Sequence, residues 1–176
     1  MSMNIDEFKA HVSGIQRATL FEVIVTGPTI IGAFATQNFR FTCKAASVPS
    51  SVLGVIEVPY MGRKVKVPGD RTYDEWQTTV IVDNEWKIAN TIYDWHAKIN
   101  EPQDNVAVSE NMNMYKGTAI IRMLSNTGKV NFAMELRGFW PHNLNQIDVA
   151  WDQNDSTTDL PVSWSYDYAV RLSANS

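Results

Sequence analysis

The sequence predicts a mainly β domain: two packed antiparallel sheets in a β-sandwich or barrel-like arrangement, with one flanking helix. Several segments alternate apolar and polar residues, which is the pattern of strands that bury one face. Only residues 84–100 place apolar side chains at clear helical spacing over several turns. The chain has 176 residues, of which 44% are hydrophobic, and shows no repeat or low-complexity tract. These features predict a single domain over residues 1–176.

The N-terminal half predicts three strands and one extended loop. Residues 20–26 and 78–82 are apolar on nearly both faces, which predicts central strands of a packed sheet. Residues 39–45 alternate, which predicts a half-buried strand with Cys43 on its apolar face, where a thiol is inert. Residues 48–61 hold prolines and a glycine among apolar residues, so we expect a long extended loop there.

The predicted flanking helix covers residues 84–100. Its apolar stripe consists of Ile88, Ile92, Trp95 and Ile99. Asp83 or Asn84 is the expected N-cap, and Pro102 follows the expected end. A second, shorter helix is predicted over residues 5–12.

The C-terminal half predicts a loop and three further strands. Residues 101–116 are polar without a clear period, which is typical of a loop. The sequence SNTGK separates residues 118–124 from residues 130–136, which predicts a β-hairpin. Residues 162–170 alternate most regularly and predict one continuous strand.

Composition excludes several classes of protein. The formal net charge is -4 and the pI is near 5.3, whereas nucleic-acid binders and polybasic membrane-surface proteins carry a basic excess. Cys43 is the single cysteine, so no disulfide can form within one chain. The N-terminal residues lack the apolar core of a signal peptide, and no apolar run is long enough to span a membrane. We therefore expect folding in a reducing cytoplasm and no membrane partner.

Residues 62–76 read GRKVKVPGDRTYDEW, a cation-rich stretch that could in principle bind phosphate. Its two glycines do not have the spacing of a phosphate-binding loop, and no Gly-Lys-Ser/Thr follows. A strand over residues 63–67, with Lys64 and Lys66 on its solvent face and a turn at Pro68-Gly69, accounts for the pattern.

No catalytic, cofactor-binding or metal-binding residue is predicted. The three histidines have no partner at i+3 or i+4, and no Gly-x-Ser-x-Gly nucleophile motif occurs. The C-terminal aspartates lack the glycine and terminal glutamate of an EF-hand loop. We therefore expect a protein that is not an enzyme and that uses no cofactor.

Charge is distributed unevenly along the chain. Four cations crowd one stretch: Arg63, Lys64, Lys66 and Arg71. Five aspartates dominate the C-terminal part, opposed there by Arg171: Asp148, Asp152, Asp155, Asp159 and Asp167. A basic and an acidic patch on one chain suit head-to-tail self-association, which closes into rings or grows into filaments.

Residues 59–76, PYMGRKVKVPGDRTYDEW, resemble the tail tube proteins of contractile-tailed bacteriophages. That family has an apolar-Met-x-Arg-Lys run, then Gly-Asp-Arg-Thr-aromatic, and an acidic pair ending in Trp. Further matching blocks follow the same order: residues 41–45 with Pro49, 93–95, Lys116 with 120–122, 138–141, 149–152 and 166–168. The resemblance covers about residues 18–170. The connection 26–38 is longer than the family pattern, and the termini differ from it.

The resemblance implies a fold and an assembly. Six copies form a ring whose inner strands join into one continuous β-barrel, and the rings stack into a hollow tube inside a contractile sheath. The implied partners are other copies of the chain and the sheath, baseplate and tail terminator proteins. The tape-measure protein and then DNA pass through the lumen without specific binding, so we expect a channel that is not basic. The implied location is the virion tail, assembled in the host cytoplasm.

The resemblance also assigns residues. The region 48–76 reaches a neighbouring subunit or ring, and its assembly candidates are Arg63, Lys64, Lys66, Asp70, Arg71 and Trp76. Alternatively, Asp70 and Arg71 pair with each other within the loop. The structural motif residues are Trp140 and Pro141, in a Gly-x-Trp-Pro turn, and Trp151 and Asp152, in a C-terminal strand.

Two other functions remain open from sequence. One is the tube of a related contractile injection system, such as type VI secretion or a phage-like bacteriocin. The other is a monomeric β-sandwich module that presents its aromatic residues to a ligand. Sizing separates a module from a tube, because a module stays monomeric.

Overall fold

The computed structural model describes residues 15–32, 36–107, 109–152 and 156–173, together with Ile5, Phe8 and Lys9. These three N-terminal residues are helical, and the rest of the predicted 5–12 helix lies outside the described residues. No helix among the described residues is long and apolar enough to cross a membrane.

Strands dominate the described chain. They are β1 (Phe21–Thr26), β2 (Cys43–Ala46), β3 (Ser51–Tyr60), β4 (Arg63–Tyr73), β5 (Trp76–Ile81), β6 (Gly117–Leu124), β7 (Val130–Leu144), β8 (Asp159–Ser165) and β9 (Tyr168–Leu172). The helices are α1 (Thr36–Thr42), α2 (Lys87–Ile99) and α3 (Met112–Tyr115), with a 3-10 turn at Thr29–Ile31. This composition confirms the predicted mainly β class with few helices.

Seven strands form the body, and every pairing is antiparallel. The strand order is β1-β6-β7-β8-β5-β2, and β9 also pairs with β7. Residues 133–137 of β7 pair with β9, and residues 140–144 pair with β8. Thus β7 passes from a first layer (β1, β6, residues 130–139 and β9) into a second layer (β2, β5, β8 and residues 140–144). The two layers are the predicted pair of packed sheets.

The bend between the layers lies at Gly138 and Asp167. Gly138 is left out of the β6–β7 register as a bulge and has a φ of 67°. A Cβ at this position would lie 1.9 Å from Asp167 Oδ2, so only glycine fits. Lys116 Nζ donates to both oxygens of Asp167, at 2.7 and 2.9 Å. Gly138, Asp167 and Lys116 together fix the geometry of the bend in β7.

This bend corrects two predictions. The predicted Gly-x-Trp-Pro turn is wrong, because Trp140 and Pro141 continue β7 and pair with Ser165 and Trp164. The predicted continuous strand over residues 162–170 is instead β8 and β9, which run alongside β7 and are separated by the bend.

The core between the layers is rich in tryptophan. Trp164 stacks on Phe139 with ring centroids 4.3 Å apart, and Trp95 lies 5.8 Å from Trp164. Each buried indole N–H has an acceptor: Trp76 donates to Ser47 O, Trp95 to Tyr115 O and Trp164 to Thr78 Oγ1. Large apolar area and satisfied donors together make this cluster stabilising.

Helix α2 confirms the predicted flanking helix. It buries Ile88, Ile92 and Trp95 against the core, as the apolar stripe predicts. The N-cap prediction is wrong, because the helix begins two or three residues later. Trp86 is the N-cap, with a left-handed φ of 54°, and its N–H donates to Asp83 O at 2.9 Å.

Two N-terminal predictions are also wrong. Residues 36–42 form α1 rather than part of a strand, and Phe39 is buried while Phe41 is 78% exposed. Residues two apart point to nearly opposite sides of a helix, so Phe39 faces the core while Phe41 faces outward. Strand β1 is an edge strand rather than a central one. The predicted 78–82 strand is central, as β5 lies between β8 and β2.

The predicted hairpin at SNTGK is confirmed as β6 and β7. The predicted loop over residues 101–116 is largely irregular but contains the short helix α3. Asn111 caps α3 by accepting from Asn113 N at 3.1 Å.

Candidate assembly surface

Strands β3 and β4 form a hairpin that projects from the body. Their register runs from Ser51 opposite Tyr73 to Tyr60 opposite Arg63. Both pair only with each other among the described residues. At about 3.3 Å per residue, each arm extends roughly 30 Å. The predicted loop over residues 48–61 is therefore mostly a paired strand.

The hairpin turns at Met61 and Gly62. Their φ values are 45° and 77°, and only these two residues separate Tyr60 from Arg63. Two positive φ values in a two-residue loop are those of a type I′ turn, which matches the twist of the strands. The predicted turn at Pro68-Gly69 is wrong, because β4 continues through it.

The Pro68-Gly69 step has a different use. The register shifts between Leu53 and Val55, opposite this step. A Cβ on Gly54 would lie 3.3 Å from Asp70 O, and a Cβ on Gly69 would lie 3.3 Å from Gly54 O. The facing glycines thus allow the two backbones to approach closely at a bulge.

Apolar side chains cover both faces of the hairpin. Each is between 42% and 87% exposed: Val52, Leu53, Val55, Ile56, Val58, Tyr60, Met61, Val65 and Val67. Soluble monomers rarely expose a continuous apolar patch of this kind, and an isolated two-stranded hairpin is marginally stable in water. A surface built this way is typical of interaction surfaces.

The predicted charged candidates lie on the same hairpin. Arg63, Lys64, Lys66, Asp70 and Arg71 are all exposed. Lys64 Nζ lies 2.6 Å from Glu57 Oε2 on the facing strand. Arg71 donates to Ser51 Oγ at 3.1 Å, and neighbours along a strand point to opposite faces. The alternative of an Asp70–Arg71 pair is therefore not what the structure shows.

Trp76 differs from the other five candidates. Its side chain is 1% exposed and packs against Phe139, with the two ring centroids 5.6 Å apart. Such a buried indole is a core residue and offers no surface to a second chain. We therefore correct its assignment: Trp76 fixes the root of the hairpin to the body, through its bond to Ser47.

Other contacts hold the same root. Ser50 Oγ donates to Asp74 Oδ2 at 2.7 Å, and Tyr166 hydroxyl donates to Ser50 O at 3.3 Å. Tyr73 packs against Tyr166 with ring centroids 5.6 Å apart. Burial raises the pKa of Tyr166, so its hydroxyl keeps its proton and its donor role. Several contacts thus attach the root of the hairpin to the body.

A second exposed apolar feature lies in residues 145–152. Trp151 is 103% exposed and Val149 is 78% exposed, and the flanking Asp148 and Asp152 are exposed too. This segment is irregular, so the predicted C-terminal strand at Trp151 and Asp152 is wrong.

The acidic patch is smaller than the sequence predicts. Asp159 is bound by Lys44 at 2.6 Å, and Asp167 is bound by Lys116. Asp155 lies outside the described residues. Within the described part, Asp148 and Asp152 remain exposed on the irregular segment.

Neither a metal-binding cluster nor a reactive thiol is found among the described residues. No group of three or more His, Cys, Asp or Glu residues in the described chain could hold a metal ion. Burial raises the pKa of Cys43 to about 12, so its thiol is not a nucleophile near neutral pH.

Sequence reasoning missed the apolar residues of the hairpin. The available signal was the run of apolar residues at 52–58, which follows neither strand alternation nor helical spacing. A two-faced apolar strand is ordinarily buried between layers. Here both faces are exposed in the single chain.

Comparison with known sequences gives one family. A family model described as "Phage tail tube protein" matches residues 16–171. The chain is 33% identical to tail tube protein gp19 of Enterobacteria phage T4, over 93% of this chain and 96% of that protein. It is 28% identical to the tail tube protein of Serratia phage KSP90, over 94% and 96% respectively.

Solved structures share the fold at low sequence identity. A chain of the anti-feeding prophage baseplate has a TM-score of 0.68 at 12% identity, covering 93% of this chain and 99% of that one. A chain from the sheath/tube terminator of an extracellular contractile injection system has a TM-score of 0.67 at 16% identity, covering 92% and 99%. These likenesses concern the fold.

Proposed function

The chain belongs to the phage tail tube protein family, and from this premise we propose that it builds the hollow inner tube of a contractile tail as stacked rings of six copies. It is a structural virion protein and not an enzyme. The observation that carries the proposal is the projecting hairpin with apolar residues on both faces. Such a surface requires burial against another chain.

The first layer supplies the ring contact in this proposal. Its edge strands, β1 and β9, each pair on one side only among the described residues. Unpaired edges template further pairing, and closure into a barrel removes them. We infer that β1 of one copy meets β9 of the next. The helices, the hairpin and the second layer are bulkier, so they fit on the wider outside of such a ring.

The hairpin supplies the contact between copies or between rings. Its cations, led by Arg63 and Lys66, suit an acidic surface on the next copy, and the segment with Asp148 and Asp152 is one. Burying the nine apolar side chains contributes the larger part of the free energy of association, because exposed ion pairs contribute little.

The proposed tube function also implies other protein partners. Chains of this fold occur in solved assemblies named for a baseplate and for a sheath/tube terminator. We infer that sheath, baseplate and terminator proteins bind the tube, and that the tape-measure protein and DNA pass through its lumen. Chains of related injection systems share the fold, so the fold does not separate the two settings. The sequence relatives are phage proteins and therefore favour the phage setting.

The proposal is tested by replacing a cross-strand valine pair of the hairpin. Val58 and Val65 face each other, and both are about half exposed. Val58→Thr with Val65→Thr keeps β-branched shape but removes apolar area. We expect the variant to stay folded and to form few or no tubes in negative-stain images. Ile15→Thr, at an exposed β-branched residue outside both the hairpin and the segment with Asp148 and Asp152, is the matched control. A wild-type chain that remains monomeric at high concentration would overturn the proposal.

A further inference from the structure

The exposed face of the first layer carries four charged residues. Val23, Val25, Ala119 and Ile121 point into the core, so the residues between them point the other way. The charged residues on this outer face are Glu22, Arg122, Glu135 and Arg137. Arg171 of β9 lies on the other face, over the Phe132 ring.

Both arginines of this face are held by a glutamate of the same chain. Arg122 Nη1 lies 3.6 Å from Glu22 Oε2, directly across the β1–β6 ladder. Arg137 Nη2 lies 3.1 Å from Glu135 Oε2, two residues along β7. Arg40, on α1, also pairs with Glu22. Glu22 therefore pairs with two guanidinium groups, and Glu135 pairs with one.

The carboxylates are more buried than the arginines. The side chains of Glu22 and Glu135 are 9% and 17% exposed, whereas those of Arg122 and Arg137 are 30% and 50% exposed. The strands fix the glutamates beneath the guanidinium groups. The hydrogen bond to Glu135 raises the pKa of Arg137, which agrees with a persistent pair.

These pairs matter if the face lines a channel for DNA. A free arginine binds phosphate and releases counterions, so a ring of free arginines would hold DNA in place. Resting on the proposed function, we propose that Glu22 and Glu135 neutralise the arginines of the channel wall, so that passing nucleic acid meets no free cation there. The chain can thus use arginines on the wall without making the wall adhesive.

The experiment removes each carboxylate charge in turn from assembled tubes. Wild-type, Glu135→Gln and Glu22→Gln tubes are mixed with a fluorescent single-stranded oligonucleotide, treated with nuclease to remove outside DNA, and pelleted. The matched control is Asp159→Asn, which frees Lys44 from a similar pair on the second layer.

We expect Glu135→Gln tubes to retain about tenfold more protected DNA at 50 mM salt, and to lose it by 200 mM. Glu22→Gln should likewise retain more than wild type, because it frees Arg122 on the channel wall. Asp159→Asn should behave as wild type.

Two results would overturn the inference while leaving the tube intact: variant tubes that retain no more DNA than wild type, or an equal gain with Asp159→Asn. Glutamate variants that fail to fold or assemble would also overturn it, since the carboxylates would then serve the subunit or its contacts. A wild-type chain that forms no tubes would instead overturn the proposed function.

Discussion

Gly138 is the residue on which the bend between the layers depends. Its positive φ and the Asp167 carboxylate, which would lie 1.9 Å from an added Cβ, both exclude a side chain. We expect Gly138→Ala to lower the free energy of unfolding by at least about 2 kcal/mol, by combining backbone strain with a clash. Denaturant unfolding of the purified subunit measures this.

Gly128 is the matched control for this substitution. It has a φ of 80° in the β6–β7 turn, but a Cβ there would meet no atom within 4 Å. Gly128→Ala should therefore cost only the strain of the left-handed backbone, about 1 kcal/mol. Equal losses at both positions would show that the Asp167 contact contributes nothing.

Charge on the hairpin should control how fast subunits associate. Arg63→Glu with Lys64→Glu reverses two exposed cations, and neither lies in the core. Each exposed pair contributes only about 0.2–1 kcal/mol, but the term repeats around a ring. We expect a folded subunit by circular dichroism and a sharp fall in tube formation. Raised salt should slow wild-type assembly by screening.

Arg17→Glu with Lys87→Glu makes the same charge change at exposed sites outside the hairpin and serves as control. Normal tubes at a normal rate from the Arg63/Lys64 variant would show that these cations do not dock. An unfolded subunit would show that they serve the fold.

The hairpin as an element should be ordered by assembly. The β3–β4 ladder is exposed on both faces, and such bonds open easily in a free chain. We expect fast amide hydrogen exchange in residues 51–73 of the free subunit and slow exchange in tubes. Residues 101–116, largely irregular, should show the same change. The β6–β7 ladder should be slow in both states, and equal protection of the hairpin in both would contradict the prediction.

The local sequence pattern was enough to predict some of the helices and strands. Helix α2 and the β6–β7 hairpin were predictable because spacing and turn residues within each segment specify them. Helix α1 was not, because the burial of Phe39 beside Trp164 decides it. The bend in β7 was not either, since it depends on Asp167, which is distant in sequence.

The sequence predicted where the candidate surface lies but not its apolar character, and its role in assembly stays a proposal. The sequence put the assembly surface in residues 48–76 through its cations and its resemblance. The structure adds the exposed apolar faces, which no charge pattern reveals. Trp76 was misassigned because a tryptophan in a surface motif and one in a core look alike in sequence.

At the scale of the whole molecule, the fold leaves uncovered the two surfaces that we propose as assembly contacts. The first layer ends in two unpaired edge strands, as far as the described residues show, and the hairpin carries apolar residues outward. One set of contacts can close a ring, and the other can join copies or rings. The family match agrees with a tube subunit, and the ion pairs on the outer face of the first layer fit the proposed channel for DNA.

Cryo-electron microscopy of tubes assembled from the purified chain tests the central claim most directly. We expect stacked sixfold rings, with β1 of each copy paired to β9 of the next, the first layer facing the channel and the β3–β4 hairpin buried against a neighbouring copy. A tube whose hairpins point free into solvent, or whose channel is lined by the second layer, would contradict the account.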